Sequence, residues 1–420
     1  MDGSQQKQGK VDEEAKDIIS NLDETIKAKI LSYLPIKEAI KTNVLSSKWR
    51  YTWTTISDLD IREDYFHYIK LPANRSTLEK FVDNLFLLHN GPIRNFKLST
   101  KRNKFVALDR WIVNLSRKEI SELTLDLTPK TKYKLHSSFF SCKNLMSVYL
   151  CNCLIKLPQD YEGFKVLSVL KLENCSLTGA EIERLVRNCA LLKDLSLRKF
   201  RERSGLRIVA PSLERLSIDG NFTYLQLSTP RLVRACVDLE KNPSGGSSVP
   251  KGGYMSNFSR AFRGVPEIKM LGIRRYFLQY LAQGNISEEN TLPPIFSHLK
   301  VLTLDIDLSN PKEIMAASFL FHNAPTLEEL DVIISNSSEG MDGSTSASFT
   351  FCSQHLKKVC VEDFKPNELD VAFVKSILLS SPLLQTLTIS SHNPDYNKQA
   401  IVDLLYKSPR ASNVVNISHL

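Results

Sequence analysis

Hydrophobic residues recur along this chain in a short phrase, an aliphatic residue followed by two more at the fourth and sixth positions. Clear copies are ISELTL at 120–125, LSVLKL at 167–172, LKDLSL at 192–197 and LKVLTL at 299–304. The complete set starts at positions 93, 120, 145, 167, 192, 213, 232, 268, 299, 327, 356 and 384. The fourth and sixth residues lie on one face of a short strand, because successive side chains of a strand point to opposite faces. Stacked neighbours can bury such a face, so the pattern predicts a solenoid.

Amphipathic helices precede several of these phrases. Thr178 and Glu181 have the spacing of a capping box, and the helix that follows places Ile182, Leu185, Val186 and Cys189 on one side. A unit of helix, turn and strand that repeats every 19 to 36 residues is typical of a leucine-rich repeat, an α/β fold. We expect Cys153 and Cys175, at the ninth position of their copies, to be structural rather than catalytic. Two polar tracts, 241–257 and 335–348, predict mobile surface insertions.

Residues 17–56 do not follow this rhythm. LDETIKAKILSYLP predicts a helix with Ile26, Ile30, Tyr33 and Leu34 on one face and lysines opposite. Asn21 or Asp23 is suited to cap its start, and Pro35 ends it. IKEAIKTNVLSSKWRYTW predicts one or two more helices. A unit of 40 residues is too small to bury all its apolar side chains, so a partner or the next domain is expected to cover some of them.

Two of the three tryptophans, Trp49 and Trp53, lie in this unit among basic residues. Two interpretations are open: they form the core of the small unit, or they belong to a surface that another protein covers. The composition of the segment does not decide between them.

Two segments carry a resemblance to known proteins. DIISNLDETIKAKILSYLPIKEAIKTNVLSSKWRYTWTTI, residues 17–56, resembles a plant F-box, with departures at Asp23, where the family usually has proline, and at Glu24-Thr25, where it usually has Asp-Glu. HLKKVCVEDFKPNELDVAFVKSILLSSPLLQTLTI followed by LLYKSPRAS resembles the plant FBD module. An F-box, leucine-rich repeats and an FBD module in this order are similar to the layout of the plant F-box/FBD/leucine-rich-repeat family.

This resemblance implies a solenoid with a small N-terminal three-helix F-box domain and a C-terminal FBD cap. The implied domains are a disordered tail at 1–16, the F-box at 17–56, a linker and helix at 57–90, repeats at 91–351, and the FBD module with terminal repeats at 352–420. The helix at 76–90 starts at a second capping box, Ser76 to Glu79. On this division, deleting 1–56 is expected to leave a soluble repeat domain.

The resemblance also implies a function. F-boxes dock on the Skp-type adaptor of a cullin–RING ubiquitin ligase, so the chain is expected to be a non-catalytic subunit that recognises a target protein for ubiquitination. Trp49 and Trp53 are expected partly to pack the domain and partly to face the adaptor. The adaptor-binding residues implied are Leu22, Ile26, Ile30, Leu34, Pro35, Leu45, Trp49 and Trp53. The rival interpretation is a stand-alone repeat scaffold with a vestigial F-box, which the departures at Asp23 and Thr25 favour.

Basic residues exceed acidic ones by 55 to 46, and RKFRERSGLR at 198–207 is the densest basic stretch. Such a run is usually a solvated surface, and its functional interpretation is a dock for an acidic or phosphorylated target. The candidate target-binding residues are Arg198, Arg201, Arg203, Arg207 and Arg215. The outward positions of the strands are expected to form a mainly basic face. Nucleic acid is a more distant alternative, and the thin aromatic content of the stretch argues against a stacking groove.

The chain carries no phosphate-binding glycine loop, zinc-protease motif or nucleophile elbow, so no catalytic, metal or cofactor site is predicted. It shows no secretory signal and no apolar run of membrane-spanning length. We therefore expect a protein of the cytoplasm, the nucleus or both, with reduced cysteines and no membrane contact.

Overall fold

A computed structural model of the chain describes residues 18–66, 76–101, 107–128, 131–201, 205–240, 257–282, 296–335, 354–391 and 397–419. The predicted tail at 1–16, Asp17, Arg203 and most of the two polar insertions lie outside the described residues.

The N-terminal unit is helical, but residues 18–56 form two α-helices where three helices were expected, and 3-10 turns follow them. It consists of α1 (Glu24–Leu31), α2 (Ile36–Lys41) and three short 3-10 turns at Thr42–Val44, Ser47–Trp49 and Thr52–Thr55. Asp23 caps α1, because its carboxylate accepts a hydrogen bond from the backbone N–H of Thr25 at 2.8 Å. The residue at which the chain departs from the F-box pattern therefore supplies the helix cap itself.

A single sheet of fourteen strands organises the remainder of the described chain, and every strand in it runs parallel to its neighbours in chain order. Parallel strands of this kind are joined by crossovers on one side, which leaves the opposite face of the sheet open. The strands are β1 (Asp58–Arg62), β2 (Asn95–Thr100), β3 (Glu122–Leu127), β5 (Ser147–Cys151), β7 (Val169–Glu173), β8 (Asp194–Arg201), β10 (Arg215–Asn221), β12 (Arg234–Leu239), β13 (Met270–Ile273), β14 (Val301–Ile306), β15 (Glu329–Ile334), β16 (Lys358–Glu362), β17 (Thr386–Ile389) and β18 (Asn416–His419).

Twelve of these strands carry the twelve predicted phrases, and the leucine-rich-repeat solenoid is confirmed. Neighbouring phrases pair in register, so that Leu195 lies opposite Leu216 and Leu302 opposite Leu330. The other two strands lie at the ends of the sheet. β1 falls inside the segment predicted as linker and helix. Its residues ISDLDI at 56–61 form a further copy of the phrase, which was not predicted.

Helices and short segments cover the buried face of the sheet. They include two small parallel pairs of strands, β4 (Tyr133–Lys134) with β6 (Cys153–Leu154) and β9 (Leu206–Val209) with β11 (Leu225–Ser228). Short 3-10 turns lie at Glu63–Phe66 and Ser137–Ser141. The helices are α3 (Ser76–Leu88), α4 (Leu108–Ser116), α5 (Gly179–Arg187), α6 (Asn257–Phe262), α7 (Arg275–Ala282), α8 (Pro311–His322), α9 (Glu368–Ser380) and α10 (Lys398–Tyr406).

The predicted capping box of α5 is present. Thr178 accepts a hydrogen bond from the backbone N–H of Glu181 at 3.2 Å, and the Glu181 carboxylate accepts one from the backbone N–H of Thr178 at 2.8 Å. The predicted inner side of this helix, Ile182, Leu185 and Val186, is buried. The core is continuous from Leu31 in the N-terminal unit to Ile417 in the last strand.

Two asparagines turn the chain after β5 and β7. Asn152 and Asn174 have φ angles of 58° and 48°, a region that asparagine tolerates better than most residues. The side-chain amide of Asn174 donates to Asn152, whose own amide donates to the carbonyl of Leu127. Cys153 and Cys175 follow directly and are buried, with the thiol of Cys175 directed at the Leu150 carbonyl at 3.3 Å. This placement agrees with the structural role expected of the two cysteines.

Candidate functional site

The N-terminal unit exposes large apolar side chains that its own interior does not use. We call this set the apolar surface: Ile18, Ile19, Ile26, Ile30, Tyr33, Leu34, Val44, Leu45 and Tyr51. Val44 is 88% exposed, Tyr33 77% and Leu45 73%. Single exposed apolar residues are normal on a protein surface, whereas nine large ones within residues 18–51 make this unit a candidate interaction site.

The orientation of α1 explains why this surface faces outward. Ile26 and Ile30 are four residues apart and share one side of the helix, while Lys27 and Leu31 are buried on the other. The Lys27 ammonium contacts the Glu24 carboxylate and donates to the backbone carbonyl of Lys48 at 3.2 Å. The sequence predicted lysines opposite the apolar face. Lys27 does lie there, but it is enclosed rather than solvated.

The two tryptophans lie inside the unit. Trp49 is 7% exposed and Trp53 is 4% exposed, and the indole N–H of Trp49 donates to the Ser20 hydroxyl at 2.9 Å. The expectation that both indoles are shared between the interior and an adaptor surface is therefore corrected for this chain. The physical reason is volume: the other buried apolar residues of the two helices are only Leu31, Ile36 and Ala39, so the indoles are needed to fill the interior.

The eight residues predicted to bind the adaptor divide into two groups. Ile26, Ile30, Leu34, Pro35 and Leu45 are exposed and Leu22 is partly exposed, whereas Trp49 and Trp53 are buried. The exposed Ile18, Ile19, Tyr33, Val44 and Tyr51 were not among the predicted residues. The sequence did contain a sign that Val44 is exposed. Val44 and Leu45 are adjacent in a short turn, and such a turn cannot bury both side chains.

The N-terminal unit also exposes basic residues. Lys29, Lys41, Lys48 and Arg50 are exposed, and the Lys29 ammonium lies 5.3 Å from the centre of the Tyr33 ring. Residues 18–56 contain six basic side chains against three acidic ones. A partner that covers the apolar surface is therefore expected to present acidic groups around an apolar centre.

The arginines predicted to bind a target do not form one patch. Within the described residues each contacts a carboxylate: Arg198 with Glu173 at 3.6 Å, Arg201 with Glu240 at 3.5 Å, Arg207 with Glu183 at 3.8 Å and Arg215 with Asp194 at 3.1 Å. Arg207 belongs to β9 in a small separate sheet, because the chain leaves the main sheet after Arg201. Arg203 lies outside the described residues.

The open face of the main sheet carries charged side chains of both signs. It is formed by the third, fifth and seventh positions of the phrases. Its basic side chains there are Arg62, Lys97, Lys171, Arg198, Arg215, Arg234, Arg274 and Lys358. Its acidic side chains are more numerous: Asp58, Asp60, Glu122, Asp126, Glu173, Asp194, Asp219, Asp238, Asp305, Glu329, Asp331 and Glu362. The second positions, at the start of the strands, add Arg94, Lys193, Lys269, Lys300 and Lys357 against Glu214 and Glu328, so the face is of mixed charge rather than mainly basic.

Carboxylates crowd at one point of this face. Asp219 lies directly opposite Asp238 on the neighbouring strand. Burial raises the pKa of Asp238, the charges of Asp219 and Asp305 raise it further, and Arg274 opposes them. The four residues form a compact charged group with more negative than positive members.

Among the described residues, no helix is long and apolar enough to cross a membrane. The described part of the chain also places no three histidine, cysteine, aspartate or glutamate side chains where they could hold a metal ion. Seven cysteines are described, all as free thiols, and burial raises the pKa of Cys142 to about 12.

Together, the helical unit, the parallel sheet and the covering helices define a leucine-rich-repeat protein with an N-terminal helical domain. Residues 108–332 match the repeat family described as FBD-associated F-box protein At5g56370, LRR repeats. The chain is 33% identical over 414 residues to F-box/FBD/LRR-repeat protein At1g13570 of Arabidopsis thaliana, which covers 95% of this chain and 97% of the relative. The chain therefore belongs to the plant F-box/FBD/LRR-repeat protein family.

Other relatives from the same plant agree with this assignment. FBD-associated F-box protein At4g10400 is 26% identical over 436 residues, 96% of this chain and 99% of the relative. F-box/LRR-repeat protein At4g14096 is 29% identical over 351 residues, 75% of this chain and 72% of the relative. None of these three relatives is named as an enzyme.

Proposed function

We propose that this protein is the substrate-recognition subunit of an SCF-type ubiquitin ligase and that its N-terminal unit binds a Skp-type adaptor. The observation that carries the proposal is the apolar surface on a domain of the F-box type. Burying one Val, Leu or Ile side chain contributes roughly 1.5–3 kcal/mol, so a few of these residues supply a useful binding energy. Tyr33, Val44 and Leu45, the most exposed members within the two helices and their turns, are the proposed anchors.

The tryptophans have a supporting role in this proposal. Trp49 packs beneath α1 and is held by Ser20, so it fixes the helix whose outer side carries Ile26 and Ile30. Replacing Trp49 by alanine is expected to weaken adaptor binding because the domain loses its core, with a cost on the order of 3–5 kcal/mol in stability. Adaptor contact is assigned to the exposed residues instead.

The proposed mechanism is proximity. The adaptor would connect the chain to the cullin and RING subunits, while the repeat and FBD region would hold a target protein. Holding a target lysine beside a charged ubiquitin-conjugating enzyme raises the effective concentration of the reactants, and no side chain of this protein needs to touch the reacting bond. We expect this to occur in the cytoplasm or the nucleus.

A double variant, Val44→Asp with Leu45→Asp, tests the proposal. It should reduce capture of a Skp-type adaptor by at least about tenfold, which corresponds to roughly 1.4 kcal/mol. Leu87→Asp is the matched control, because Leu87 is 79% exposed but lies in α3, outside the apolar surface. Circular dichroism should show equal helix content in all three chains. Normal capture by a folded double variant would refute the proposed surface.

The second candidate function is a stand-alone repeat scaffold with a vestigial F-box. The replacement of the usual F-box proline by Asp23 favoured this alternative. It no longer argues for a vestigial F-box, because Asp23 caps α1 by accepting a hydrogen bond from Thr25. The two functions differ in one measurement: the unmodified full chain binds the adaptor only if the first is correct.

A further inference from the structure

The first strand of the solenoid raises the question of what covers its end. β1 has a strand neighbour on one side only, yet Ile56, Leu59 and Ile61 are 3%, 1% and 0% exposed. Solenoids need a terminal cap, because the last layer of a stacked core otherwise faces water. α2 lies against β1, and Ile36, Ala39 and Trp53 of the N-terminal unit share one core with Leu59 and Ile61.

No linker separates the N-terminal unit from the first repeat. The last 3-10 turn ends at Thr55, and Ile56 is already the first position of the phrase ISDLDI. Strand β1 begins only two residues later, at Asp58. A hinge between the two parts would therefore have to lie within residues that belong to both.

The loop after α3 closes around this junction. The backbone N–H groups of Asn90 and Gly91 donate to the Thr54 carbonyl at 3.0 and 3.2 Å, and that of Arg94 donates to the Ser57 carbonyl at 2.9 Å. Gly91 packs so closely that a Cβ atom there would lie 2.9 Å from the Cα of Thr55. His89 is buried, and its Nε2 lies 2.8 Å from the Ile56 carbonyl.

From these contacts we infer that the N-terminal unit is also the end cap of the solenoid, fixed to it by the His89–Gly91 loop, so that both fold and move as one body. The inference goes beyond adaptor binding and does not depend on it. It revises the expectation that a chain lacking residues 1–56 stays soluble, because that deletion would uncover Leu59 and Ile61. A cap role also means that an F-box segment without adaptor binding would still be needed for folding.

A rigid junction has a consequence for the proposed function. The apolar surface and the open face of the sheet would keep a fixed relation, so a target held on the repeats would reach one defined position relative to the adaptor. Flexibility in the ligase would then have to come from other subunits or from the target.

Hydrogen exchange of the full chain at increasing urea tests the inference. Amides of α1, β1 and β2 should be released by one common opening, with the same dependence on urea. The inference is overturned if α1 exchanges through an opening of lower free energy while the amides of β1 keep their protection.

Two substitutions in the full chain sharpen this test. Gly91→Val places side-chain atoms against the Thr55 backbone, and it should shift the urea dependence of α1 and β1 together. His89→Gln is the milder variant and should shift both in the same direction by less. A shift confined to α1 or to β1 would contradict a single body. Leu45→Asp should move neither, and its loss of adaptor capture would report on the proposed function alone.

Discussion

The N-terminal unit and the repeat array use the same residue types in opposite ways. In the array, the phrase residues at the fourth and sixth positions, such as Leu302 and Leu304, are almost completely buried. In the N-terminal unit, Ile26, Ile30 and Leu45 face water while Lys27 is enclosed. A stacked array can bury its phrase residues against the neighbouring copies, whereas a short helical unit at its end has a neighbour on one side only. The exposed apolar residues therefore identify where a partner is expected.

Charged groups show the same contrast. The Lys27 ammonium is enclosed against Glu24 and the Lys48 carbonyl. On the sheet, charges pair across neighbouring strands at the surface, as Lys358 does with Glu329 at 2.8 Å. Surface pairs of this kind contribute little to stability, so the array depends on its apolar ladder.

The largest expected effect on stability is the loss from a leucine-to-alanine substitution in the array, compared with the same substitution in the N-terminal unit. Leu304→Ala should lower the free energy of unfolding by about 2–5 kcal/mol, because it leaves a cavity in the sheet core. Leu45→Ala should change it by no more than about 0.5 kcal/mol, because Leu45 is 73% exposed. Urea unfolding of both variants measures the difference. Equal losses of unfolding free energy would contradict the contrast between the two regions.

The next largest effect is expected at the two asparagines that turn the chain after β5 and β7. Asn152→Ala should cost about 1–3 kcal/mol, because it leaves the Leu127 carbonyl and the Asn174 amide without their partner and places alanine at φ 58°. Asn152→Gly keeps the backbone conformation and should cost less. If glycine costs as much as alanine, the hydrogen bonds alone carry the contribution.

Much of this architecture follows from the sequence because the repeat phrase fixes both strand and register. Even the ion pair between Arg215 and Asp194 could be predicted by aligning the phrases, because both residues occupy the third position of adjacent copies. Other features depend on distant residues. Lys27 is buried only because the Lys48 carbonyl and the Trp49 ring, more than twenty positions later, close over it. Arg207 lies apart from the other arginines because the chain leaves the main sheet after Arg201. The basic run in the sequence does not show where the strand ends.

His89 predicts a pH dependence at the junction of the two regions. Burial lowers the pKa of His89 below its ordinary value near 6.5, so the unfolded chain binds a proton there more readily than the folded one. The contribution of His89 to stability is complete above pH about 6.5 and decreases as the pH falls through the window below that value. His89→Gln should flatten the decrease in the urea midpoint between pH 7.5 and pH 5.5. An unchanged slope would show that other groups set the acid sensitivity.

The smallest effect is expected on the sheet surface. Glu328 accepts hydrogen bonds from Lys300 and Lys357, each at 2.9 Å, and these bonds lower the pKa of Glu328 to about 2. The attraction between these charges is nevertheless screened, because all three side chains are at least partly exposed and the Debye length is about 8 Å at physiological salt. Glu328→Gln should therefore leave the urea midpoint unchanged within error at 0.15 M salt and reduce it slightly at low salt. The control is Gln385→Glu, which adds a carboxylate on the other side of Lys357, at the second position of the phrase that starts at 384. A large loss from Glu328→Gln at high salt would mean that the array, too, depends on its charges.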